Sequence, residues 1–229
     1  MIDKTLLLKG SSSLGVALSD ETVALLDAFS DFVAEENKKF NLTAITSPAE
    51  FTEKHIIDSL ASLPFIPQGS SLCDVGAGAG FPSFPIAAAR GDVTVTALDS
   101  TSKKTDFIKR AAQKFGLYNI RTLSKRAEEC THERESFDVV TARAVAPISI
   151  LSELCLPLVK KGGLFIAYKT DPSDLPSEEC LSFLGGKLKF SHPYTLPSGD
   201  GRVLLVFEKI SHTHPDFPRP YGKIKRSPL

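Results

Sequence analysis

Residues 71–90 read SLCDVGAGAGFPSFPIAAAR, and this stretch decides the fold. The apolar run SLCDV (71–75) has strand character, glycines stand at 76, 78 and 80, and Pro82 opens a helical stretch. Glycine allows tight turns and lets a ligand lie against bare main chain, while proline suits the first turn of a helix. Strand, glycine turn and helix in that order make a cradle for a nucleotide-like ligand. The spacing is GxGxG rather than GxGxxG, and the carboxylate of Asp74 lies inside the motif. A pyrophosphate would be repelled there, whereas the ammonium of a methionine moiety would be attracted.

Asp99 closes the next apolar run, VTVTALD (93–99), where a carboxylate can accept both hydroxyls of a ribose. Together the two acids point to S-adenosylmethionine, so Asp74, Gly76, Gly78, Gly80 and Asp99 are the cofactor-binding candidates. The glycine turn should open onto a cavity that Asp99 faces. SKRAEE (124–129) follows the third apolar run, NIRTL (119–123), and is placed to offer backbone N–H groups to an adenine ring.

Further strands are expected at FDVVTA (137–142), GLFIAYK (163–169), KLKFSHPY (187–194) and RVLLVFE (202–208). Helices fit at 82–90, 103–115, 147–159 and roughly 173–184. Strands alternating with helices imply right-handed parallel crossovers, and the last two strands, with no helix between them, form an antiparallel hairpin. The expected fold is α/β: a doubly wound, mostly parallel seven-stranded sheet with a C-terminal antiparallel hairpin, of the Rossmann-like class I methyltransferase type. Upstream, helical periodicity runs from Asp20 to about Phe40 and again after Pro48 as far as Pro64. Residues 1–64 are thus an N-terminal helical extension, 65–210 the cofactor-binding domain and 211–229 a basic tail, either an ordered strap or a mobile arm.

Lys plus Arg and Asp plus Glu number 27 each, so any attraction to nucleic acid must be local. No apolar run is long enough to span a bilayer, and the three leucines near the N-terminus are too few for a secretory signal, so a cytoplasmic protein is expected. The four cysteines, at 73, 130, 155 and 180, lack metal-ligand spacing and are expected to be reduced thiols. No metal is called for, and a monomer is expected. TARAVAP leaves Arg143 at the carboxyl end of the fourth strand, beside the expected methyl-transfer position, and Lys169 ends the fifth in the same way.

Several stretches in this order resemble one family: FNLTAI (40–45), KHIIDSL (54–60), DVGAGAGFP (74–82), LDSTSKKTDFI (98–108), RAEE (126–129), FDVVTARAVAPI (137–148) and PRPYGKIKRSPL (218–229). The chain is similar to the RsmG (GidB) family of bacterial methyltransferases, which act on guanine N7 of 16S ribosomal RNA. The resemblance covers nearly the whole length. It implies S-adenosylmethionine as methyl donor and a guanine of the 530 loop of the small subunit as acceptor, at rRNA position 527 in customary numbering. It places cofactor contacts at Gly76, Gly78, Gly80, Phe81, Asp99, Ala127, Glu128 and Arg143, and makes Arg143 the catalytic candidate. Asn41, His55, Lys103, Arg126, Lys169, Arg219, Lys223, Lys225 and Arg226 are the RNA-binding candidates. Where the family often has GFPGIPLAI this chain has GFPSFPIAA, with Ser83 and Phe84 as departures.

Guanine N7 carries an in-plane lone pair and no proton, so its methylation needs no general base. Arg143 is therefore expected to orient the base or a phosphate, and His55 to pack or position rather than to accept a proton. Two other readings stay open: a methyltransferase with another RNA or a small-molecule acceptor, and a nucleotide-binding module without chemistry.

Overall fold

The computed structural model describes residues 2–171 and 174–229. At its centre is a seven-stranded sheet in the order β3-β2-β1-β4-β5-β7-β6. The strands are β1 (Ser71–Val75), β2 (Thr94–Asp99), β3 (Ile120–Ser124), β4 (Phe137–Arg143), β5 (Val159–Lys169), β6 (Gly186–Thr195) and β7 (Gly201–Lys209). β1 to β5 pair in parallel, while β7 runs antiparallel between β5 and β6. The expected strand set and terminal hairpin are thus present. Strand order reverses between β1 and β4, and ligands of such sheets bind outside the carboxyl edge at that switch point. Val75, Asp99, Ser124, Arg143 and Lys169 end strands at this edge.

The helices before the sheet are α1 (Lys4–Ser13), α2 (Asp20–Asn37), α3 (Pro48–Phe51), a π turn (Thr52–Ile57) and α4 (Asp58–Leu60). The Ser19 hydroxyl accepts from the Thr22 N–H to cap α2, and Ser47 caps α3, whose first residue is Pro48. α2 stops three residues short of Phe40 because the Asn37 side chain accepts from the N–H groups of Leu42 and Thr43, folding the chain back. α1 falls within the helical extension expected over residues 1–64, although the sequence does not mark its bounds. Asp3 caps it, Leu7 is fully buried, and Gly10 lies so close to Ile57 that a Cβ there would meet its side chain at 2.5 Å.

Downstream come α5 (Ser83–Ala89), α6 (Ser102–Phe115), α7 (Ile148–Cys155), α8 (Glu178–Phe183) and α9 (Tyr221–Arg226). α6 ends at Gly116, in the left-handed conformation that glycine adopts without penalty. The helix expected over 147–159 ends at Cys155; a 3-10 turn through Pro157 then leads straight into β5. The one expected over 173–184 begins at Glu178, and residue 173 of that expectation lies outside the described residues.

Two apolar clusters flank the sheet. One joins α1, α2 and the π turn to α5, α6 and one face of the strands; the other joins α7, α8, α9 and the opposite face. In the first, Phe29 of α2 stacks on Phe84 at 3.6 Å between ring centroids and lies 5.6 Å from Phe81. Phe84, a departure from the family pattern, is therefore a partner for the N-terminal helices and fixes the turn beneath the cradle. Cys73, Cys130 and Cys155 are buried, Cys180 is half-buried, and all four are free thiols. No described helix is long and apolar enough to cross a membrane. No cluster of three metal-ligating side chains occurs among the described residues.

Candidate active site

The carboxyl edge of the sheet carries two adjoining cavities. The smaller, of about 130 Å³, is lined by Gly76, Leu98, Asp99, Arg126, Ala127, Glu128, Val145, Leu154 and Tyr221 among others. Asp99 is 7% exposed; one carboxylate oxygen accepts from the Gly78 N–H (3.0 Å) and the other from the Thr101 N–H (2.8 Å). These bonds fix its orientation at the cavity wall, and each oxygen keeps a lone pair. Gly76, Gly78 and Gly80 all have positive φ, a conformation the turn demands and other residues resist.

The turn is not fully open, which corrects the sequence expectation. Val145 lies on the bare Cα of Gly76, where an added Cβ would stand 2.4 Å from its Cγ2. Asp74 also departs from its expected place beside the ligand. It is 1% exposed beneath the turn, its oxygens accepting from the Ser83 N–H (3.1 Å) and the Thr141 hydroxyl (3.0 Å). Burial pushes its carboxyl up to about 6, against the pull of those bonds. Asp74 thus ties β1, β4 and α5 together under the cradle, a role that a strand-end carboxylate also permits.

The larger cavity, of about 370 Å³, is lined by Lys54, His55, Asp58, Arg143, Tyr168, Lys169 and Arg202 among others. Arg143 is 13% exposed and donates to Asp58 Oδ2 (2.8 Å) and to the Lys54 carbonyl (2.6 Å), and its other terminal nitrogen stands 3.4 Å from His55 Nδ1. The other Asp58 oxygen accepts from the Tyr194 hydroxyl at 2.7 Å, with Arg202 at 3.9 Å. A guanidinium has no acceptor, so His55 Nδ1 is the acceptor, and Nε2–H donates to the Thr43 hydroxyl at 2.7 Å. Burial, then the Arg143 charge, holds the imidazole down at about 3, so it is neutral at physiological pH. Its ring stacks on Phe81 at 4.5 Å, which connects the glycine turn to this cavity.

The π turn explains why Lys54, His55 and Asp58 converge. Widening the helix by one residue per turn changes which side chains share a face, and such turns recur at functional sites. Asp58, Tyr194 and Arg202 were not expected at the site from the sequence. Asp58 lay within a recognised stretch, but its partner Tyr194 is 136 positions away on β6, and nothing local signals the pairing.

The remaining candidates divide. Lys169 reaches the Ala146 carbonyl (3.4 Å) and Asp174 (3.8 Å) at the rim of the larger cavity. Arg126 lines the smaller one with its guanidinium 5.8 Å from the Tyr221 ring centroid. Asn41, Lys103, Lys223, Lys225 and Arg226 are exposed. Arg219 does not belong with them. Its guanidinium forks onto Glu153, at 2.8 and 2.6 Å, and Glu153 has no exposed side-chain surface. The tail is an ordered strap: Arg134 holds the carbonyls of Thr213 and Phe217, and Ile224 is fully buried.

Solved structures share this architecture at low identity. A SAM-dependent methyltransferase from Aquifex aeolicus superposes with a TM-score of 0.55 at 17% identity, over 77% of this chain and 98% of that one. The [4+2]-cyclase SpnF does so with a TM-score of 0.58 at 13% identity, over 86% and 98%. Such likeness shows the fold, and the fold by itself does not choose a reaction. Sequence comparison is more specific. The chain is 40% identical to ribosomal RNA small subunit methyltransferase G of Bacillus licheniformis, over 96% of both chains. It is 39% identical to the protein of the same name from Acetivibrio thermocellus, over 99% of this chain and 96% of that one. A family model described as rRNA small subunit methyltransferase G matches residues 22–180, and on these grounds the chain belongs to the GidB family.

Proposed function

We propose that this protein methylates N7 of a guanine in the 530 loop of 16S ribosomal RNA, at position 527 in customary rRNA numbering, with S-adenosylmethionine as donor. The carrying observation is the pair of adjoining cavities: one walled by the Asp99 carboxylate and the glycine turn, the other by cations around Arg143. The residues of the smaller cavity fit an adenosyl group. Asp99 has lone pairs for ribose hydroxyls, Ala127 and Glu128 stand where a purine edge would lie, and a Cβ on Gly76 would collide with Val145 of the cavity wall. Its volume is below the usual range for small-molecule pockets, roughly 300–1,000 Å³, so Val145 would have to move off Gly76 for the site to fill.

S-adenosylmethionine supplies an electrophilic methyl group on a sulfonium; the chain's own residues do the rest. Among the described residues of the larger cavity, the proton acceptors are His55 and Asp58, and both are engaged. The imidazole lies between Arg143 and Thr43, and the carboxylate between Arg143 and Tyr194. A site without a free base suits an acceptor atom without a proton. Arg143 has five N–H groups, and those not directed at Lys54, Asp58 and His55 can grip guanine O6 or a phosphate. It holds the base for in-line attack and works by proximity and orientation.

RNA phosphates would meet Lys54, Lys169 and Arg202, with Asn41, Lys103, Arg126, Lys223, Lys225 and Arg226 farther out. His55 acts by holding Arg143. Lys54, Lys169 and Arg202 each have a neighbouring acid, respectively Glu50, Asp174 and Asp200. RNA binding is therefore modest, salt-sensitive and aided by the shape of the particle. The test is labelled methyl transfer to purified small subunits lacking the modification, followed by strand scission at N7-methylguanine. Label at a single guanine of the 530 loop is expected; label elsewhere, or none, would refute the proposal.

A further inference from the structure

The sequence marks the last residues as a basic tail, yet the structure brings one of its uncharged side chains to the smaller cavity. Tyr221, the first residue of α9, is half-buried and forms part of that cavity's wall together with Asp99, Ala127, Glu128 and Leu154. It is held on both sides. Two residues earlier Arg219 is forked onto the buried Glu153, and three residues later Ile224 has no exposed surface. Farther back, Arg134 clasps the strap at Thr213 and Phe217. The position of the ring is therefore set by anchors outside the cavity.

From this placement we infer that Tyr221 is a cofactor-binding residue whose ring packs on the adenine of the bound adenosyl group, making the C-terminal strap a built part of the site. The inference rests on the function proposed above. The chemistry is that of a slot for a planar ring. Leu98, Leu154 and Val75 supply apolar surface, Tyr221 supplies an aromatic face, and Asp99 takes the hydroxyls at one end. The Arg126 guanidinium, 5.8 Å from the ring centroid, gives the tyrosine a cationic neighbour. Aromatic faces accept any base, so Tyr221 sets affinity while the edge contacts at Ala127 and Glu128 set the identity of the base.

The chain has no tryptophan and four tyrosines, so its near-ultraviolet emission comes from tyrosine. Tyr168 and Tyr194 are buried around the larger cavity and Tyr118 is 98% exposed, which leaves Tyr221 as the tyrosine at the smaller one. S-adenosylhomocysteine is the probe, titrated by calorimetry and by fluorescence in the absence of RNA. Wild type should bind with quenching. Tyr221→Leu, which keeps apolar bulk, should bind about tenfold more weakly or worse. Tyr221→Phe should bind within about twofold of wild type but without the quench, a result that a purely structural role for Tyr221 would not give. Unchanged affinity in Tyr221→Leu, or a full quench in Tyr221→Phe, overturns the inference while leaving the proposed function standing. No binding by wild type overturns both.

Discussion

The two cavities are built from different material. The smaller is mostly main chain and strand ends: a glycine turn, a carboxylate fixed by two backbone N–H groups and a 3-10 turn, Ala127–Glu129. The larger is mostly side chains brought from the π turn, α4, β4, β5 and β7, and it is held by the ion pair of Arg143 with Asp58. A site made largely of backbone is specified mostly by residues close in sequence. A site made of a charge network depends on distant partners and fails when one is lost.

The most severe break in this contrast is Arg143→Ala. Truncating one member of a buried charge pair costs roughly 2–5 kcal/mol, so methyl transfer to small subunits should fall at least about 30-fold. Initial rates with labelled donor measure it, and a rate within a few-fold of wild type would remove Arg143 from the mechanism. Asp99→Ala tests the other cavity. Hydrogen bonds to a charged group contribute about 1.5–3 kcal/mol, so the affinity for S-adenosylhomocysteine should fall by about ten- to a hundredfold. Calorimetry reads this directly, and an undiminished affinity would detach the adenosyl group from the smaller cavity.

Arg219→Ala bears on stability. It leaves Glu153 buried without its cation, which should cost about 3 kcal/mol in urea unfolding. No loss of stability would mean that the strap is not pinned there. A further effect concerns pH. His55 has its folded value lowered to about 3 from 6.5, so its contribution to stability is present above pH 6.5 and is lost as pH falls toward 3. Asp74, raised to about 6 from 3.8, acts in the opposite sense and favours the fold as pH drops from 6 to 4. His55→Gln should therefore lose less stability than wild type between pH 6.5 and 4. Equal slopes in thermal melts across that window would show that the imidazole is not held neutral.

The contrast also explains what the sequence revealed. Strands such as FDVVTA and GLFIAYK are apolar runs alternating with helices, and their parallel order follows from the alternation itself. The glycine turn and Asp99 were legible because they lie on adjoining elements. Asp74 was misplaced because a carboxylate at a strand end can point into a cleft or under the loop, and Thr141 and Ser83 decide between them. Phe84 gained its meaning only from Phe29, far upstream on α2. Arg219 looked like one more tail cation. The overlooked signal was Glu153, a lone acid in the apolar helix ISILSELC, which requires a buried cationic partner.

The central claim is that the two cavities act together on one guanine of the small subunit. Mapping N7-methylguanine along 16S ribosomal RNA from cells lacking this protein tests it most directly, with the wild-type chain and the Arg143→Ala chain restored in turn. The mark in the 530 loop should be absent from the deletion strain, return with the wild-type chain and stay absent with Arg143→Ala. A mark that persists without the protein, or one that Arg143→Ala restores in full, would contradict the account.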